Sequence, residues 1–457
     1  MEKRLNKNPM GYKKILPLLI KMSLPIMLSM LIQSLYNITD SYFVSKISEK
    51  ALRATSLSYP IQIIIIGFGV GTGVGINSFI SRALGSDRQD MADRAAMHGL
   101  LLVFVSWLVF LIFRVTLLET FLDFFTDDPL VKAMGIQYLG LITTFSFLSI
   151  LQISIEKIIQ ATGNMVLPMI VQAVGAIINI ILDPIMIFGL FGFPAMGIRG
   201  AAIATLIGQG TGAVLGIIFL FSKKTSIEIN FKKFKYSSQI VKDIYAVGFP
   251  SILMQSVTAL VTIALNLIVV KYSELAVSVL GIYFKLESFV LMPVFGLTQG
   301  ILPLIGYNYG AGKKDRINET YHYGVILALI LMGLGTMIFQ VFPRSLMSIF
   351  SDSNEMIEMG VYTLRIISIG YIFAAIGIIN STYFQALGLG RYSLLVTSLR
   401  QIIIIIPLAY IFSFIGLNWI WVSYPIAELI TTVVSIALQR RARKNYIDIL
   451  QDREKVL

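Results

Sequence analysis

The chain has no cysteine, two histidines, three tryptophans and little charge of either sign. Without cysteine there is no disulfide, no thiolate metal site and no cysteine nucleophile. With only His98 and His322, a histidine-based metal or catalytic centre is not expected. Charged residues make up 14% of the 457, whereas a soluble domain uses about 25%, which excludes an ordinary soluble fold. A phosphate-binding Gly-x-x-x-x-Gly-Lys-Ser/Thr loop is also missing. The nearest stretch, YNYGAGKK from Tyr307, lacks the leading glycine and the final hydroxyl. ATP hydrolysis is therefore not expected, and an ion gradient must supply any work. No nucleophile–base constellation and no sizeable extramembrane domain argue for an enzyme or a receptor; catalytic residues and cofactors are expected to be none. A cleavable leader is not expected either, because the first apolar span follows a basic start, is too long, and lacks a small-residue cleavage site.

What the chain has is apolar length. Apolar residues are 56% of it, in runs of about 20 or more, the length that crosses a ~30 Å hydrocarbon core as helix. Runs such as Ile61–Ile66 and Ile402–Ile406 do not alternate with polar residues, so a membrane barrel is excluded. The expected fold is an all-α integral membrane bundle of twelve spans, near 16–44, 54–80, 97–118, 134–160, 165–190 and 197–221, then 244–270, 276–306, 323–342, 359–386, 392–414 and 417–438. The expected organisation is a first lobe at 1–221, a lysine-rich linker at 222–241, and a second lobe at 242–457 with a basic tail. Lysine and arginine collect in the N-terminal tail, around Arg82–Arg94, in the linker, at Lys313–Arg316 and in the C-terminal tail. Those segments all fall on one side if both termini are cytoplasmic, which is the expected orientation, in a bacterial cytoplasmic membrane. The net charge of +12 is thus topological and calls for no nucleic-acid partner.

The chain repeats itself. A gapless shift of 225 residues aligns Pro25 with Pro250, Gly71 with Gly296, Gly75 with Gly300, Gly85 with Gly310, Gln160 with Gln385, Ala161 with Ala386 and Gly163 with Gly388. Six spans per half leave both halves in the same orientation, a parallel repeat of the transporter kind, with the substrate site expected between the halves.

Against that apolar background, Asp40, Glu156, Asp183, Glu287 and Glu428 fall inside spans. An ionised group at mid-bilayer costs at least about 2.5–3.5 kcal/mol, so each needs a partner, a cavity or a proton. In LIQSLYNITDSYFVS, Gln33, Tyr36, Asn37 and Asp40 share one helical face. In NIILDPIMIFG, Asn179 lies one turn before Asp183, and Pro184 frees the carbonyl of Ile180. Carboxyl, amide and phenol oxygens in low dielectric suit the holding of a proton, because burial and mutual repulsion favour the neutral acid. The same hard oxygens of Asp40, Asn179 and Asp183 suit Na⁺. At the 225 offset Asp40 faces Leu265 and Asp183 faces Leu408, so the acids are not demanded by the repeated scaffold. Lys157, Lys285, Arg365 and Arg400 are the cations within spans. Arg400 is expected to pair with Glu287 or Glu428, while Glu156 and Lys157 are expected to snorkel from the end of their span.

Taken in order, SLPIMLSMLIQSLYNITDSYFVS, SRALGSDR, QATGN, NIILDPIMIFG, GIRGAAIATLIGQ and YNYGAGKKDR resemble the multidrug and toxic compound extrusion (MATE) family, in its bacterial DinF-like branch. The resemblance covers essentially the whole chain. It implies two homologous six-helix bundles around a central V-shaped cleft and export by alternating access. It implies a cation-coupling site in the first lobe at Asp40, Asn179 and Asp183, with Tyr138 and Thr205 as accessory positions. Gln33 and Tyr36 match cleft-lining positions, and Asn37, Glu287 and Arg400 join them as cleft candidates. The NorM-type branch keeps its main acids on the seventh and tenth spans, near Thr258 and Ala374 here, where this chain has none. The implied activity is antiport of amphiphilic, mostly cationic small molecules against H⁺ or Na⁺, H⁺ being preferred, by a monomer in the lipid bilayer. The rival activity is a flippase for a lipid-linked precursor, which needs a markedly cationic cleft; Lys285, Arg365 and Arg400 are the candidates for it.

Overall fold

The computed structural model describes residues 8–222 and 225–450. Ten unbroken helices are long and apolar enough to cross a bilayer. They are α1 (Ile15–Ser45), α2 (Glu49–Gly85), α3 (Gln89–Thr116), α6 (Val166–Phe188), α7 (Ile198–Phe221), α8 (Ser238–Val269), α9 (Glu274–Gly310), α10 (Lys314–Val341), α13 (Gly390–Ser413) and α14 (Leu417–Ala442). Two further spans are bent pairs, α4 (Pro129–Thr144) with α5 (Phe147–Ala161) at 42°, and α11 (Asn354–Ser368) with α12 (Tyr371–Ala386) at 49°. That accounts for the twelve expected spans, and no strand occurs among the described residues. Several helices overrun the apolar windows. α3 begins at Gln89 and α10 at Lys314, because QDMADRAAM and KDRINETYH hold no proline or glycine that would stop a helix leaving the apolar layer.

The 225-residue repeat extends to the helix ends: Glu49 and Glu274 both begin helices, Gly85 and Gly310 both end them, and Ala161 and Ala386 do the same. Each bend has a chemical cause. At the first, Thr143 and Thr144 hydroxyls bond back to the Leu139 and Gly140 carbonyls at 2.7 and 2.6 Å, a competition that bends helices. The Thr144 carbonyl, released by the break, accepts from the Trp107 indole at 2.8 Å. At the second, Gly370 stands two residues after Ser368, whose carbonyl accepts from Thr336 at 2.9 Å, and Gln340 donates to the Arg365 carbonyl at 2.7 Å. Freed backbone groups in an apolar layer have to be re-bonded in this way.

The chain forms two compact units. One holds Leu28–Leu84 and Arg88–Ile252; the other holds Met1–Met27, Gly85–Asp87 and Leu253–Leu457. These boundaries differ from lobes drawn at 1–221 and 242–457, because the leading parts of α1 and α8 lie with the opposite repeat. The change of unit comes after Met27 and after Ile252, two residues past Pro25 and Pro250, where the missing backbone donor loosens the helix. The duplicated glycines explain the exchange. In the first unit a Cβ on Gly71 would lie 2.5 Å from the Ile252 side chain, and one on Gly75 would strike the Ile244 carbonyl. In the second, a Cβ on Gly296 would lie 2.6 Å from Met27 Cγ and one on Gly300 2.6 Å from Ser23 Oγ.

The segments ahead of α1 and α8 are pinned correspondingly. Arg316 donates to the Met10 and Lys13 carbonyls at 2.9 and 2.7 Å. In the first unit the Ser237 amide donates to His98 Nε2 at 2.8 Å, and the Glu228 amide donates to Asp93 at 2.9 Å, which fastens the linker to the start of α3. His98 is thereby a structural anchor.

Candidate cation-coupling site

The site lies wholly in the first unit and depends on how closely α6 and α7 approach. A Cβ on Gly208 would fall 2.7 Å from the Gly175 carbonyl oxygen, and one on Gly175 2.9 Å from the Gly208 oxygen. Small residues facing each other bring two apolar helices to backbone contact where side chains would hold them apart. The hairpin is closed beyond them by Gly189, whose φ of +74° ends α6 in the left-handed region, and by the Met196 amide donating to the Met186 carbonyl at 3.0 Å.

That approach brings Asn179 and Asp183 of α6 against Thr205 of α7. Asn179 Nδ2 donates to Asp183 Oδ1 at 3.4 Å and to Thr205 Oγ1 at 3.3 Å. Asp183 is completely buried and Asn179 and Thr205 nearly so. From α1, the half-buried Tyr36 reaches Thr205, and the carboxyl of half-buried Asp40 lies within hydrogen-bond reach of that of Asp183. Tyr138 of α4 is buried beside Asp40, Tyr36 and Asp183, with its hydroxyl against Gln62 of α2. Three buried oxygens, Asp40 Oδ1, Asp183 Oδ2 and Asn179 Oδ1, have no partner among the described residues. They are hard-oxygen acceptors, chemically suited to a proton or to Na⁺.

The remaining residues of that helical face divide. Gln33 accepts from Gln172 Nε2 at 2.7 Å, about two helical turns before Asp40 on α1, while Asn37 is exposed and does not join them. Gln62 was not legible from the α1 and α6 motifs; its signal is the 225 offset, which pairs it with Glu287.

Glu287 and Arg400 lie in the second unit. Tyr283 donates to Glu287 at 2.5 Å from one turn earlier on α9. Arg400 donates to Glu428 of α14 at 3.2 Å, from a π-helical stretch of α13, Leu399–Ile405. Glu287 is within electrostatic range of both, and Tyr371 and Tyr424 close the cluster. The three tyrosines escaped the sequence reading, although the i, i+4 spacing of Tyr283 to Glu287 marks one of them. Lys285 and Arg365 are exposed. The expected snorkelling of Glu156 and Lys157 is corrected: both are buried, at 8% and 6% exposure, because α5 turns those side chains inward against Gly73 of α2 and the amides of Gln152 and Gln160.

A family model, MatE, matches residues 25–185 and again residues 250–411, beginning at the two repeated prolines. The chain belongs to the MATE family. Its curated relatives include the multidrug export proteins MepA of Staphylococcus aureus, 27% identical over 434 residues, and of Staphylococcus haemolyticus, 27% identical over 424, each alignment covering 91% of both chains. Among solved structures, MATE crystallised in complex with MaL6 is 25% identical, with a TM-score of 0.89 over 97% of this chain and 98% of that one. The outward-facing conformation of a multidrug resistance MATE transporter of the MOP superfamily is 25% identical, with a TM-score of 0.88 over 97% of each chain. This MATE chain is accordingly a multi-pass membrane transporter and not an enzyme.

Proposed function

We propose that the chain is a secondary active multidrug exporter, moving amphiphilic and mostly cationic compounds outward while H⁺ moves inward, with Na⁺ as the rival coupling ion. The observation that carries this reading is the Asp40–Asp183 carboxyl pair, in mutual hydrogen-bond reach among unpartnered buried oxygens. Family membership and relatives named as multidrug export proteins support the substrate class. A cation arriving from outside neutralises the pair, and the part of α1 that bears Asp40 repacks against α6 and α7. Pro25 and the Gly67–Gly75 run are the hinges for that change, substrate affinity falls, and the ion leaves to the cytoplasm. Both termini are on the cytoplasmic side in this scheme, and the working unit is the monomer.

The flippase reading needs converging cations for a pyrophosphate. Arg400, one of its three candidate cations, is already paired with Glu428, which counts against that reading. The deciding experiment is ethidium efflux from proteoliposomes with a pH gradient or a Na⁺ gradient imposed in turn. Efflux driven by the pH gradient, and lost in both D40N and D183N that remain folded, is the expected result. Both variants exporting at the wild-type rate would end the assignment.

A further inference from the structure

α5 buries two consecutive charges in the same unit as the acid pair. Glu156 accepts from Gln152 Nε2 at 3.0 Å, and Lys157 donates to Gln160 Oε1 at 3.1 Å. Neighbours in sequence diverge around a helix and do not face each other, so Glu156 is held chiefly by one neutral amide. A buried carboxylate so held is several kcal/mol less favourable than one in water. The scaffold does not require it: at the 225 offset Glu156 and Lys157 face Ser381 and Thr382, and Gln152 faces Gly377.

Position gives the charges a use. Gly175 and Gly212 open space for the Gln152 amide: a Cβ on Gly175 would lie 3.9 Å from Gln152 Nε2, and one on Gly212 2.7 Å from its Cδ. Gly175 is one helical turn from Asn179, which is one turn from Asp183. Polar groups therefore step through the unit from Asp183 to Asn179, Gln152, Glu156 and Gln160, ending at the turn between α5 and α6. On the facing helix a Cβ on Gly73 would lie 2.5 Å from Lys157 Cγ. One turn further along α2, Asn77 is completely buried with neither amide atom partnered among the described residues, and Ser154 of α5 is buried in the same condition. Buried amides of that kind take water. The titratable group acting on Glu156 is Lys157; the neighbouring helices meet this stretch of α5 with glycines, Gly73 of α2 against Lys157 and Gly175 of α6 and Gly212 of α7 against Gln152.

We propose that Glu156 is a second proton-carrying station, linking the Asp40–Asp183 pair to the end of the bundle at the α5–α6 turn. The idea rests on the proton-coupled reading above. The proton leaves the acid pair as an O–H bond breaks, crosses on water held by the Asn179 and Gln152 amides, and forms an O–H bond on the Glu156 carboxylate. It is then passed on beyond Gln160, and Lys157 balances the charge when Glu156 is ionised.

The test uses purified full-length protein in proteoliposomes, with ethidium as the probe. Efflux driven by a pH gradient is compared with ethidium exchange at equal pH, which needs no net proton movement. E156Q is expected to slow driven efflux roughly tenfold or more while exchange stays within about twofold, and E156D is expected to restore driven efflux. Driven efflux at the wild-type rate in E156Q, with D40N dead, overturns the station and leaves the acid pair standing. Equal loss of efflux and exchange makes Glu156 a packing residue and also overturns it. Wild-type protein indifferent to a pH gradient overturns both readings. Should E156Q fail to fold, Q152L in the same assay decides: selective loss of driven efflux supports the station, and wild-type behaviour removes it.

Discussion

The two repeats carry the same scaffold and different chemistry. Prolines at 25 and 250 and glycines at 71, 75, 296 and 300 serve one purpose twice, letting the leading part of α1 or α8 pack on the opposite repeat. The charges are not duplicated. The first unit brings Asp40 and Asp183, two like groups, within hydrogen-bond reach of each other. The second joins Glu428 to Arg400, an acid with its counter-ion, and holds Glu287 beside a tyrosine hydroxyl. An acid with a permanent cation at 3.2 Å has little reason to bind and release another, whereas an acid facing an acid has every reason to. Duplication thus separates what the fold needs from what the function needs.

The sharpest break of this comparison exchanges acid for amide on the two sides. D40N and D183N are expected to abolish pH-driven efflux, whereas E287Q keeps it and weakens apparent substrate affinity roughly three- to tenfold; loss of driven efflux in E287Q alone would invert the assignment of roles. Scaffold changes should be blind to the side. G75L and G300L each force a side chain into an occupied contact, where overpacking costs about 1–3 kcal/mol or more. Their melting temperatures should fall together, and a large fall in just one would show that the glycines are not equivalent. Smaller is the effect of R400M, which leaves Glu428 without its cation. Breaking a fully buried pair costs about 3–5 kcal/mol; with Arg400 and Glu428 at 24% and 14% side-chain exposure, solvent screening reduces it to about 1–3. R400M/E428Q should melt above R400M, and a double variant no better than the single would mean that the pair contributes nothing.

The sequence carried the spans, the repeat and the presence of Asp40 and Asp183 inside spans, because length, fixed offset and charge inside an apolar run are one-dimensional signals. Thr205 and Tyr138 came through family resemblance alone. Thr205 meets Asn179 because Gly175 and Gly208 let α7 approach α6, Tyr138 arrives from α4, and no spacing rule joins residues on separate helices. Asn37, a cleft candidate, is exposed, and a shared helical face does not say how far along it the neighbouring helices reach. Glu156 and Lys157 did mislead: a charged residue near the end of an apolar run reads as snorkelling until the inward turn of α5 is known. The exchange of helix halves at Met27 and Ile252 was invisible too, although the prolines and glycines that permit it were the clearest repeat positions.

The mildest test of the comparison lies outside the spans, where each repeat begins its bent pair with a side-chain cap. Asp128 caps α4, accepting from the Leu130 and Val131 amides at 2.9 and 3.3 Å and pairing with Lys50 at 2.8 Å. Its counterpart 225 residues on is Ser353, whose hydroxyl accepts from the Met356 amide at 3.5 Å. Lys50 first, and then the Leu130 amide, hold the Asp128 carboxyl below its ordinary value of 3.8. A lowered folded-state value means that this stabilisation is fully present above the unfolded value and is lost as pH falls through the folded one. D128S keeps a cap like that of the second repeat and removes the charge. Its melting temperature should therefore lie below wild type near neutral pH and converge with it as pH is taken from about 6 to about 2. The gap should also narrow at about 1 M salt, where the screening length falls to about 3 Å. A gap independent of pH would assign the difference to cap geometry and leave the charge on Asp128 without a role.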